Sequence, residues 1–137
     1  MMREILFRGK RADNGEWVFG YFCEFANNRT GEQESYIQTV KQDGRIDLIH
    51  KVDPKTAGQF TGLTDKHGKR MIFEGDVVRG TDRGDRFPEV YGYVGHRDGA
   101  FVIFGDFMTH YRWLDYDVEV IGNLHDNPEL IGGGGDG

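Results

Sequence analysis

The chain has 137 residues, 37% of them hydrophobic and 13% aromatic, with 21 glycines, three prolines and one cysteine. That length fits one domain of ordinary size or two small lobes, with enough aromatic bulk to fill a core without disulfides or metals. A formal charge of −6 argues mildly against a phosphate-backbone surface, the lone Cys23 excludes a disulfide framework or a zinc pattern, and no apolar run reaches the ~20 residues of a membrane span.

Glycine scattered among β-branched and aromatic runs predicts many short strands joined by tight turns. Residues 3–8 read as a first strand, followed by the turn signal Asp13-Asn14-Gly15. Residues 16–25, EWVFGYFCEF, form the most apolar run. Trp17, Phe19, Tyr21, Cys23 and Phe25 share one face, and Val18, Gly20 and Phe22 make the other nearly as apolar. That pattern predicts a central strand covered on both sides, with Cys23 a buried, inert thiol. Residues 26–34 are a polar loop whose Asn28-Arg29-Thr30 matches a glycosylation sequon, discarded because nothing suggests secretion. Residues 35–41 and 45–52 form a hairpin about Asp43-Gly44, with Tyr36 opposite the Ile46/Leu48 region. Asp53-Pro54 supplies an N-cap and a first-turn proline, enough for one helical turn.

Residues 58–79 carry the densest turn chemistry. Gly58 and Gly62 punctuate its start, Asp65-Lys66-His67-Gly68 is a four-residue turn, and Leu63 faces Met71-Ile72-Phe73 across a clasp. Gly75-Asp76-Val77-Val78 is a bend into a strand. Next comes a loop with Arg79, Arg83 and Arg86 among acids, then a hairpin of residues 90–97 and 100–104 about Asp98-Gly99. Two more strands occupy residues 109–114 and 117–124, with Val118, Val120 and Ile121 pointing inward, and residues 127–131 form a closing turn. No repeat and no long helix is signalled. The expected fold is mainly β: an SH3-like small barrel over 59–131 packed on an N-terminal β lobe of residues 1–58. Together these form a single domain, 1–131, with 132–137 a flexible glycine-rich tail.

Reactive constellations are sparse. His50, His67, His96, His110 and His125 lie far apart, leaving only His110 with Asp106 and His125 with Asp126 as local pairs, so no metal site is expected. Ser35, the single serine, has no elbow motif. Glu74/Asp76 and Asp115/Asp117/Glu119 alternate along strands, the usual mark of a charged edge. A hydrolase would need one of these carboxyls raised in a cleft. No glycine cluster opens a phosphate loop, and Arg83-Gly84-Asp85 reads as a chance tripeptide. No cofactor is expected.

Several blocks resemble the YopX family of phage and prophage proteins. They are residues 2–10 (MREILFRGK), 15–21 (GEWVFGY), 52–54 with 58–63 (VDP, GQFTGL), 65–70 (DKHGKR), 72–78 (IFEGDVV), 119–124 (EVIGNL) and 127–130 (NPEL). The resemblance spans nearly the whole chain. It implies a mainly β fold and a phage or prophage origin, but no activity and no site residues; the lone Cys23 adds the expectation of a reducing bacterial cytoplasm. The blocks themselves read as backbone geometry and core.

Two functional readings follow. One is a non-enzymatic binding or assembly module, forming a homo-oligomer or engaging a host or phage protein, with no membrane role. The other is a nucleic-acid-associated small barrel, with Arg79, Arg83, Arg86, Phe87, Tyr91 and Tyr93 as the contact set. A metal-assisted hydrolase built on Glu74, Asp76 and a histidine comes third.

Overall fold

The computed structural model describes residues 6–66, 68, 70–84, 88–97, 99–105 and 116–130, and the backbone at 110–111. The chain is mainly β, with 62% of the described residues in strand, almost no helix and two antiparallel sheets. Its contacts divide it into two units, Met1–Phe60 and Thr61–Gly137.

In the first unit, β1 (Phe7–Lys10), β2 (Trp17–Ala26), β3 (Gln33–Val40) and β4 (Ile46–Val52) pair antiparallel in the order β4-β3-β2-β1. The start of β5 (Gly58–Thr64) lies along β1, with Phe7 opposite Gln59. The Asp43-Gly44 turn joins β3 to β4 as its residues predict. The register differs, however: Tyr36 faces Lys51, equally distant from the Asp43-Gly44 turn, and Ile46 faces Val40 beyond a bulge.

Gly20 is where β2 changes partners. Residues up to Gly20 pair with β1, and residues from Tyr21 pair with β3. A Cβ at Gly20 would lie 2.1 Å from the Gln38 carbonyl oxygen, so only glycine lets the two strands cross there. Ile37 and Val52 of this sheet are 0% and 1% exposed, and Phe7 stacks on Phe22 at 5.4 Å. A bridge from Arg11 to Val52 ties the far ends together, Ala12 N–H donating to the Lys51 carbonyl and Asp53 N–H to that of Lys10, both at 2.9 Å. The 3-10 turn Pro54–Thr56, capped by the Asp53 carboxylate, then presents the Thr56 hydroxyl oxygen to Lys10 N–H at 2.8 Å. The Val52-Asp53-Pro54 block is thus a structural clip.

The outer face of β2 corrects the expectation of a strand covered on both sides. Phe19, Tyr21 and Phe25 are 48%, 51% and 51% exposed, and Cys23 is half-buried. The letters report only that both faces are apolar; an apolar face that folding leaves open is spelled the same way.

In the second unit, the end of β5 pairs with β6 (Met71–Phe73), as expected of the clasp. A five-stranded sheet follows: β7 (Asp76–Asp82), β8 (Val90–Arg97), β9 (Ala100–Phe104), β10 (His110–Tyr111) and β11 (Tyr116–Asn123), in the order β10-β9-β8-β7-β11. Among the described residues no pairing joins β10 to β11. Ile72, Val78, Val94, Ile103, Tyr116 and Val118 form the core, flanked by Val90 and Val120. Ile121, expected inside, is partly exposed because a bulge between Val120 and Gly122 turns it outward. β7 also runs further than read, carrying Arg79 inside a strand instead of a loop.

The turn residues of 58–79 act as their types demand. Gly68, at φ +68°, closes the Asp65 turn by donating to the Asp65 carbonyl at 2.8 Å. Gly75, at φ +89°, donates to Val94 and accepts from Leu124, so it joins β8 to the end of β11. The Asp65 turn also shields the outer side of β11: Lys66 N–H donates to the Val118 carbonyl at 2.7 Å.

Candidate functional site

Two surfaces stand out, one on each unit. On the second, strand register sets Tyr91, Arg79 and Glu119 directly across from one another on β8, β7 and β11. The Arg79 guanidinium donates to the Glu119 carboxylate and lies 4.0 Å from Glu89, whose other oxygen accepts from the Tyr91 hydroxyl at 3.2 Å. Arg83 Nε donates to Asp117 at 3.0 Å. The hydrogen bond to Glu119 raises the Arg79 pKa above its ordinary value, so the cation is fixed in charge and already matched. Two arginines thus meet three carboxylates here, and a phosphate would have to displace them. Tyr91 is half-exposed, whereas Tyr93 stacks on Phe104 at 5.3 Å. The sequence-derived contact set therefore comes together at Arg79, Arg83 and Tyr91, with Tyr93 turned to its neighbour. Arg86 and Phe87 lie outside the described residues.

The other chemistry weighed from sequence resolves into turns and pairs. The Asp76 carboxylate, 2% exposed, accepts the Phe73 N–H at 2.8 Å and so closes the bend, while Glu74 is only half-buried beside it. Asn123 Oδ1 accepts the N–H groups of His125 and Asp126, and Asn127 Oδ1 accepts that of Asn123. The Asn123 and Asn127 blocks are therefore a cap. No group of three His, Cys, Asp or Glu among the described residues is placed to hold a metal. His67, Asp106 and Asp115, the side chain of His110, and residues 131–137 lie outside those described.

The second surface was only partly visible in sequence. On the first unit, Phe19, Tyr21 and Phe25 of β2 continue through Tyr36 and Val40 of β3 to Ile46 and Ile49 of β4, all on one face by register. Val40, Ile46 and Ile49 are 41%, 55% and 52% exposed. Phe25 and Tyr36 pack at 5.6 Å, and the Tyr36 hydroxyl donates to Glu34 at 2.8 Å. Lys51 Nζ and Asn27 Nδ2 also donate to Glu34, at 3.1 and 3.3 Å. These donors, the Tyr36 hydroxyl first, hold the Glu34 carboxyl below its ordinary pKa, and the Tyr36 and Lys51 pKa values rise in return. At the β1 side, Trp17 lies under the Arg8 guanidinium at 4.7 Å and near Lys10 Nζ at 5.5 Å. The available signal was Ile46, Leu48 and Ile49 in one hairpin strand that lacks alternation.

These features define a small two-unit β protein. The family model for "YopX protein" matches residues 6–132, and the chain belongs to the YopX family. A solved structure, "Crystal structure of protein EF1440 from Enterococcus faecalis", is similar at 23% identity and a TM-score of 0.53, covering 95% of this chain and 99% of that one; this likeness is one of fold. No curated protein matches the chain.

Proposed function

We propose that this YopX-family chain is a non-enzymatic protein-binding module that seats an apolar partner surface on the outer face of β2, β3 and β4. The observation carrying this is the exposed row Phe19, Tyr21, Phe25, Val40, Ile46 and Ile49. Three half-exposed aromatic rings offer about 100 Å² each, and with the aliphatic residues the patch reaches the few hundred Å² at which monomer surfaces become binding sites. Its rim charges are already paired, Lys51 with Glu34 and Arg45 with Asp43, so the patch selects by shape and apolarity. We read the partner as a host or phage protein met in the bacterial cytoplasm. The second unit we read as SH3-like, since four strands meander and the last returns to pair with the first of them, β7. The combined variant Phe19→Ser, Tyr21→Ser, Phe25→Ser tests the docking face. It should lose the partner retained by the wild-type chain in pull-downs from infected cells while keeping its melting temperature within a few degrees. Retention of the same partner by the variant would refute the reading.

A second reading, nucleic-acid association, is favoured by the half-exposed Tyr91 ring beside Arg79 and Arg83. Stacking on such a ring contributes about 1–3 kcal/mol per base. Titration of single- and double-stranded DNA and RNA at low salt tests it, and no binding there ends it.

A further inference from the structure

We propose that the cleft between the Asp65 turn and β11 binds the C-terminal residue of another polypeptide, its carboxylate on Lys66 and Arg83 and its apolar side chain over Ile72 and Val118. The site lies wholly within the second unit and stands whether or not the docking face of the first takes a partner. The turn is tied to β11 where Lys66 N–H donates to the Val118 carbonyl at 2.7 Å. Beside that bond, residues 63–66 and 116–118 line a space of about 220 Å³. This is below the ~300 Å³ at which sites for drug-sized ligands begin, so it suits a single residue. The floor is the edge of the core: Ile72, Val118 and Tyr116 are 1%, 5% and 7% exposed, and Leu63 stands half-exposed at the rim.

The charges on its walls choose the ligand. Among the described residues Lys66 Nζ has no acid partner. Arg83 gives Asp117 only its Nε, at 3.0 Å, so its two terminal amines can meet a second carboxylate without displacing the first. Cations beside an apolar floor select a carboxylate with a hydrophobic side chain close to it, as a chain ending in leucine, isoleucine, valine or phenylalanine provides. A free amino acid carries the same two groups but adds an ammonium. The acids here are already engaged, Asp117 by Arg83 and Asp65 by the Arg70 N–H at 3.4 Å, whereas a peptide nitrogen needs no charged partner. The chain leading to that terminus also has somewhere to run. Because the Val118 carbonyl turns outward to Lys66, the Val118 N–H turns outward with it, and an extended segment can lie along that edge as an added strand.

Amide NMR of the full chain, titrated with the tetrapeptide Gly-Ser-Gly-Leu, tests the site. The Lys66 and Val118 amides should shift saturably at millimolar peptide, and added salt should weaken the binding. Amidating the peptide's C-terminus should weaken it about tenfold, and so should replacing its last residue by glycine. Free leucine should bind about tenfold more weakly than the peptide. Lys66→Met, at an exposed position, should lower the affinity about fivefold with an unchanged melting temperature, and Lys66→Arg should restore it. The docking-face variant of Phe19, Tyr21 and Phe25 should bind the peptide as the wild-type chain does. Amides that do not move with peptides ending in leucine, isoleucine, valine or phenylalanine would overturn the proposal. So would equal binding of the amidated or glycine-ended peptide, equal binding of free leucine, or an affinity that Lys66→Met leaves unchanged.

Discussion

Glu34 shows how single side chains bind the first unit together, because its carboxylate collects the Tyr36 hydroxyl, the Lys51 ammonium and the Asn27 amide from three parts of the chain. Its folded pKa is depressed from an ordinary 4.5, so its stabilisation is present above that value and is lost as pH falls through the lower folded value. Lys51 is raised from 10.5, so its share is present below that value and is lost as pH rises through the folded one. Glu34→Gln should therefore flatten the acid-side decline in melting temperature below about pH 5, and melts of the two chains across that range will show it. Ile37, fully buried, should cost about 2–5 kcal/mol on replacement by Ala. Trp17 is a milder case. It is only half-buried beneath Arg8 and Lys10, so Trp17→Ala should cost roughly 2–3 kcal/mol, below the 3–5 of a fully enclosed tryptophan; denaturant melts distinguish the two. No letter of the sequence says how much of a tryptophan ring the fold will cover.

Among the elements, the hairpins were legible and the bends less so. Asp43-Gly44 and the glycine at 99 sit in turns between alternating strands, and turn chemistry of that kind is local. Gly20 and Gly92 play a role that no local rule reveals. Each marks the place where a strand passes from one neighbour to the next, β2 from β1 to β3 and β8 from β7 to β9. A Cβ at either would fall 2.1 Å from a carbonyl oxygen of the crossing strand, Gln38 or Phe104. Gly20→Ala and Gly92→Ala should each destabilise the chain by several kcal/mol, whereas Gly31→Ala, with nothing within 4 Å but φ +75°, should lose about 1. Equal losses at all three, measured by urea melts, would mean that the crossings are not tight. The register of β3 against β4 is set at Tyr36 by the Asp43-Gly44 turn itself, which pairs it with Lys51; only the one-residue shift at Val40 and Ile46 comes from the bulge.

At the scale of the whole molecule, the mainly β character and YopX membership were readable because turn residues, strand residues and family blocks are all written in the chain itself. Exposure was not. The same apolar run that suggested a covered central strand supplies the open face of Phe19, Tyr21 and Phe25, and Arg79 and Arg83, taken as contacts, turn out to be answered by Glu119, Glu89 and Asp117. Charge pairing across strands depends on register, which the loop reading of residues 79–86 missed. The docking face proposed above accordingly lies on the first unit. The most direct test is photo-crosslinking in infected cells, with a benzophenone side chain placed at position 21 or, for comparison, at position 91. The docking account predicts a discrete protein adduct from position 21 that disappears when Phe19 and Phe25 are changed to Ser. Adducts from position 91 alone, or none from position 21, would contradict it.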